Sequence, residues 1–175
     1  MTIRSRAGRS FRTATEADAA AIAALELAPA QRPFVMAQSE AQHRRQISNP
    51  NFRYLIYDGP DGTLRGFAIL AGLTLPHRAV EIFRVVVDGK GFGIGGDFLD
   101  TIVRHAFLDL GAHRIWTDCF DDNKPVRRVC THYGFREEGM LRETVFFDGR
   151  FRSVVLFGLL ESETSLKAAH ATTMS

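Results

Sequence analysis

Gly91, Gly93, Gly95 and Gly96 put four glycines within six residues, and the junction they form constrains the fold more than any other part of the chain. Before them, Val80-Glu81-Ile82-Phe83-Arg84-Val85-Val86-Val87 reads as a largely buried central strand. After them, Phe98, Leu99, Ile102, Val103, Ala106, Phe107 and Leu110 recur at helical spacing, with Gly111 where a helix C-terminus wants it. A strand that turns through glycines into a helix presents backbone amides and a positive helix end to a phosphate or pyrophosphate. Side chains at those positions would block the approach.

The remaining punctuation supplies the order of elements. Phe11 to Thr15 reads as a first strand, followed by a helix through Ala19, Ile22, Ala23 and Leu25 to Leu27 that Pro29 and Pro33 stop. A weaker helix over 39–48 ends at Asn49-Pro50. Strands Phe52 to Tyr57 and Leu64 to Leu73 flank the Asp61-Gly62 turn. Past the glycine junction come strand Arg114 to Phe120, a short helix opened by Asp122-Asn123-Lys124-Pro125 and ending near Gly134, then Glu143 to Phe147 and Phe151 to Leu160 around Asp148-Gly149. The order is β-α-α-β-β-β-α-β-α-β-β. Absence of repeats points to one folding unit over 11–161, with residues 1–10 and 162–175 expected to be loose.

Three phosphate-binding architectures compete at the junction. A P-loop needs Lys and then Ser or Thr after its last glycine, and Gly96-Asp97-Phe98 excludes it. A dinucleotide fingerprint matches formally through Gly91, Gly93 and Gly96, with Asp118 as a ribose ligand, but that fold repeats strand and helix several more times. The third rests on a resemblance. Arg84-Val85-Val86-Val87, Lys90-Gly91-Phe92-Gly93-Ile94-Gly95, Asn123 and Tyr133-Gly134-Phe135 are similar to the GNAT superfamily of acyl-CoA-dependent N-acyltransferases. Gly111-Ala112-His113-Arg114-Ile115-Trp116, Asp122-Asn123, Gly134 to Gly139 and Leu141-Arg142-Glu143 resemble its ribosomal-protein alanine N-acetyltransferase branch.

The resemblance covers about 11–161 and implies an α/β (α+β) domain with a central, mixed, mostly antiparallel sheet of about six to seven strands flanked by helices. It also implies acetyl-CoA as co-substrate, without a metal. Lys90, Gly91, Phe92, Gly93, Ile94, Gly95 and Gly96 would cradle the pyrophosphate. Val85, Val86 and Val87 would pair through their main chain with the pantetheine arm, and Asn123 would contact it near the thioester. Asn123 is equally a plain helix N-cap.

A thioester is already activated, so the protein has to place an amine and manage protons. An α-amino group titrates near ~8 and a lysine amine near ~10.4, so the acceptor arrives charged and must lose a proton. Glu81 is the candidate base, since strand alternation puts Glu81, Phe83, Val85 and Val87 on one face; the bland alternative is a strand glutamate paired with Arg84 or Arg78. The proton donor to the leaving thiolate in this family is usually a Tyr four residues before the Gly-Phe pair, where this chain has Cys130. That thiol either donates the proton or packs as a small apolar group. His77 is an alternative base or a surface-turn residue. His43, His105, His113 and His132 show no metal-ligand spacing. Pro29 to Gln38, with Phe34, Val35 and Met36, and Phe146, Phe147 and Phe151 opposite, either line an acceptor pocket or seal the core.

Composition narrows the alternatives. Twenty-two Lys plus Arg against 20 Asp plus Glu leave +2, too little for bulk nucleic-acid binding. No secretory signal or membrane-spanning run is read, and the two cysteines, Cys119 and Cys130, form no disulfide framework. A reducing cytoplasm is the expected home, and a monomer or homodimer the expected state. The function expected is acetyl transfer from acetyl-CoA to a primary amine, either a protein α-amino group or a small molecule. The alternatives are a non-catalytic acyl-CoA-binding or regulatory protein and a dinucleotide-binding protein.

Overall fold

The computed structural model describes residues 2–5, 8–31, 33–88 and 94–164. Eight strands within them form one sheet: β1 (Thr2–Arg4), β2 (Ser10–Thr13), β3 (Phe52–Asp58), β4 (Leu64–Ala71), β5 (Ala79–Val87), β6 (Arg114–Phe120), β7 (Arg136–Phe147) and β8 (Arg150–Leu160). Their order is β1-β2-β3-β4-β5-β6-β8-β7, and every neighbouring pair is antiparallel except β5 with β6. The helices are α1 (Ala19–Glu26), α2 (Glu40–Ile47), α3 (Ile94–Arg104) and α4 (Lys124–His132). Residues 165–175, most of the expected loose tail, lie outside the described residues.

The turn signals hold. Asp148 and Gly149 take φ of 53° and 74°, the left-handed pair that a twisted two-residue hairpin requires. Two differences from the sequence expectation are physical. Strand β1, within the segment expected to be loose, pairs with β2 through Ile3↔Phe11, which raises the strand count to eight. Strand β7 starts at Arg136 rather than Glu143, because register shifts between Glu137 and Gly139 and between Leu141 and Val145 break its alternation.

The sheet buries a core on each face. On one, Leu55, Ala68, Leu70, Val80, Ile82, Ile115 and Val155 meet Phe98 and Ile102 of α3 and Cys130 of α4. On the other, Tyr54, Ile56, Phe67, Ile69 and Val86 meet Ile22 of α1. Val80 and Ile82 therefore belong to the α3 face and Val86 to the α1 face, although strict alternation would keep them together. The cause is a bulge: Ile69 pairs with Arg84 but Leu70 with Ile82, leaving Phe83 as an extra residue in β5.

This corrects the expectation for Glu81. Glu81 pairs with Ala71 and shares the α1 face with Arg84 and Val86, whereas Val85 and Val87 turn toward the α3 face. The proposed base and the cofactor strand positions occupy opposite sides of the sheet.

Candidate active site

Strands β5 and β6 run parallel for only three pairs, Ala79↔Arg114, Val80↔Ile115 and Glu81↔Trp116. The Thr117 hydroxyl donates to Ile82 O at 2.9 Å, one further stitch before the strands part. Beyond it, β5 stays with β4 as far as Val87, while Asp118 to Phe120 stay with β8. The bulge at Phe83 bends β5 at this level, so the parting follows from the added residue.

The parted edge of β5 is polar. Asp88 N–H donates to Arg65 O at 2.7 Å, and antiparallel alternation then directs the amides and carbonyls of Val85 and Val87 away from β4, into the gap. Val86 instead bonds within the sheet and buries its side chain. Gln31, in the connection between α1 and α2, donates its Nε2 to Val87 O at 3.1 Å. Sequence reading had not singled out Gln31; its partner lies 56 positions away and no local pattern marks it.

Of the glycine junction, Lys90, Gly91, Phe92 and Gly93 lie outside the described residues. Ile94 opens α3, and Gly95 and Gly96 form its first turn. Among the described residues, a Cβ on Gly95 would meet nothing within 4 Å. At Gly96 a Cβ would come 2.8 Å from the Tyr133 hydroxyl oxygen, so this glycine seats the Tyr133 ring against α3. Asn123 is the N-cap of α4, its side chain accepting from Val126 N at 3.4 Å.

Two carboxylates stand on the α1 face beside the gap. Burial, with the Asp118 charge second, pushes the Glu81 carboxyl above its ordinary value, and crowding by the surrounding strands does the same to the solvent-reachable Asp118. Glu81 meets neither of its expected arginines: Arg84 Nη1 binds Glu26 Oε1 at 2.5 Å, and Arg78 Nε donates to Gly111 O at 2.7 Å. Among the described residues no ion pair neutralises Glu81 or Asp118. Asp118 had entered the sequence reading only as a ribose ligand.

Cys130 lies inside the α3-face core at 3% exposure, and burial pushes its thiol up to about 11. His77 is exposed in its turn, and His43 is fully buried, its Nδ1 3.0 Å from the Tyr54 hydroxyl. Among the described residues no group of three or more His, Cys, Asp or Glu could hold a metal, and no helix is long and apolar enough to cross a membrane.

The aromatic residues divide. Phe146 and Phe151 meet edge to face at 5.1 Å and are more than 60% exposed; Phe147 stacks on Phe120 at 5.4 Å. Arg152, 7% exposed, lies 3.6 Å above the Phe120 ring centroid, donates to Pro33 O at 2.7 Å and binds Asp122. It thereby ties the α1–α2 connection to the turn before α4.

The family described as the acetyltransferase (GNAT) domain matches residues 10–136. The spermidine N(1)-acetyltransferase of Vibrio cholerae is 24% identical over 126 residues, 71% of this chain and 72% of that protein. YdaF of Bacillus subtilis, a provisionally named ribosomal N-acetyltransferase, is 29% identical over 104 residues, 59% of this chain and 57% of that protein. The crystal structure of spermidine N-acetyltransferase from Vibrio cholerae with CoA and spermine superposes with a TM-score of 0.78 at 20% identity, covering 87% of this chain and 95% of that one.

Proposed function

The chain belongs to the acetyltransferase (GNAT) family, and from that premise we propose that this N-acetyltransferase acetylates a small polycationic amine by direct attack on the thioester of acetyl-CoA. The observation that carries the reading is the parting of β5 from β6, with main-chain groups of Val85 and Val87 turned into the gap from one side and Glu81 and Asp118 beside it on the α1 face.

Acetyl-CoA supplies an acyl group already activated as a thioester. Val85 and Val87 would hold its amide-bearing arm through the main chain. The start of α3, with Gly95 and Gly96, would face its phosphates, and Asn123 at the start of α4 would stand near the reacting end. Lys90, Gly91, Phe92, Gly93 and Ile94 complete the proposed cradle, as the sequence pattern implies.

Glu81 takes the first proton. A carboxyl raised by burial and by a neighbouring negative charge is a stronger base than an exposed glutamate, which suits an acceptor that arrives as an ammonium. The uncompensated charge of Asp118 attracts the same cation. The amine surrenders a second proton as the amide forms, and that proton balances the departing thiolate. Cys130 is assigned to packing rather than proton donation, because a thiol at about 11 is a weaker acid than the ordinary thiol, near ~8.5, that it would protonate.

The Vibrio cholerae relative's name supports a polyamine acceptor. A protein α-amino group is the second reading, favoured by the likeness to YdaF. Thiol release from acetyl-CoA, followed with spermidine, a monoamine, free lysine and a peptide with an open N-terminus, separates the two. The proposal expects amine-dependent release with the highest kcat/KM for spermidine. Preference for the peptide would transfer the assignment to the second reading. CoA binding without release for any amine would leave a binding protein.

A further inference from the structure

Gln31 sits where a strand-like ligand would have to bond. The Val87 carbonyl is one of the main-chain groups that β5 turns into the gap beyond the last β6 pair, and the Gln31 carboxamide already donates to it at 3.1 Å. The main-chain carbonyl of Gln31 accepts from Phe34 N and Val35 N, each at 3.0 Å. That same connection is held to the body of the protein by Arg152 on Pro33 O at 2.7 Å and by Glu26 Oε2 accepting from Gln38 N at 2.6 Å. One primary amide thus joins the parted edge of β5 to a segment that Glu26 and Arg152 anchor over the α1 face, the face on which Glu81 and Asp118 also stand.

We propose that Gln31 is a latch that the pantetheine arm of acetyl-CoA displaces, so that cofactor entry releases the α1–α2 connection before the amine binds. The inference rests on the acetyl-CoA reading above. A pantetheine arm carries secondary amides whose N–H groups need acceptors, and pairing with β5 in strand fashion directs one of them at Val87 O. The Gln31 amide is chemically the same kind of donor at the same acceptor, and the two compete. Release then loosens the Phe34 and Val35 amides, which hang on Gln31 O, and uncovers the approach to Glu81 and Asp118.

The test compares wild type with Gln31→Ala and Gln31→Asn, the second keeping an amide that is one methylene too short to reach. Calorimetric titration with CoA should show two- to ten-fold tighter binding in both variants, the equivalent of one competing hydrogen bond removed. A residue that merely supported the fold would weaken binding instead. Hydrogen exchange at Phe34 and Val35 should accelerate when CoA is added to wild type and should already be fast, and insensitive to CoA, in the variants. Initial-rate patterns should show acetyl-CoA binding first in wild type. Unchanged or weaker CoA affinity in both variants, with wild type binding CoA normally, would overturn the latch and leave the acetyltransferase reading intact. Failure of wild type to bind CoA at all would remove both.

Discussion

Replacing Glu26 with Gln tests how the α1 face is held together. Glu26 is 1% exposed and lies 2.5 Å from Arg84 Nη1 and 2.6 Å from Gln38 N, with His43 Nε2 3.4 Å away but not aligned for a hydrogen bond. Gln keeps the shape and an acceptor for Gln38, but strips the Arg84 guanidinium, 13% exposed at its side chain, of its counter-charge. Breaking a buried pair from one side costs about 3–5 kcal/mol, a large share of the ~5–15 kcal/mol that holds a typical domain. At roughly 2–4 °C per kcal/mol for a chain of this size, Tm should fall by about 10 °C in thermal circular dichroism.

Removing both partners, as Glu26→Leu with Arg84→Met, should recover most of that loss, since no charge is then stranded. The pH dependence has a definite sign. Burial alone would raise the Glu26 carboxyl, but His43, Arg84 and the Gln38 amide outweigh it and hold it below its ordinary 4.5. Its contribution is therefore complete above 4.5 and lost as pH falls through the lower folded value. The Tm gap between wild type and Glu26→Gln should shrink in that acid range. A gap under about 2 °C at neutral pH, or a double variant worse than the sum of the singles, would refute the reasoning.

Glu81→Gln should lower kcat about 10²–10⁴-fold with CoA affinity unchanged; because the folded carboxyl is raised, its favourable contribution is lost as pH rises through that value, so the variant should be at least as stable as wild type at pH 7. A smaller kcat loss in initial-rate assays would remove Glu81 as base. Arg152→Met strands Pro33 O and should cost about 2–3 kcal/mol in urea denaturation, raising KM for the amine while calorimetry shows the same CoA affinity. Cys130→Ala should keep kcat within about threefold and lose ~1 kcal/mol of stability; a drop of a hundredfold in rate would restore the thiol as proton donor.

What the sequence disclosed and what it hid divide by range. The strand before the glycines and the helix after them, both hairpins and the Asn123 cap depend on residues within a few positions of one another, and each stands where composition and spacing put it. Strand β1 is only three residues long, too short for periodicity to register. The bulge escaped for a different reason: Phe83 lies inside an unbroken run of strand-forming residues, so nothing local distinguishes the extra residue from its neighbours. Arg84 with Glu26 and Gln31 with Val87 join positions 58 and 56 apart, and such pairings are set by the sheet's stacking order rather than by either segment.

Phe83 divides β5 into two stretches of opposite phase. Deleting it would leave Glu81 still facing away from Val85 and Val87 in even alternation, so what the extra residue supplies is the bend and not the facing. One supernumerary residue thus works as a wedge, turning the far half of the strand off its parallel neighbour and leaving a seam of outward-facing main chain along that edge.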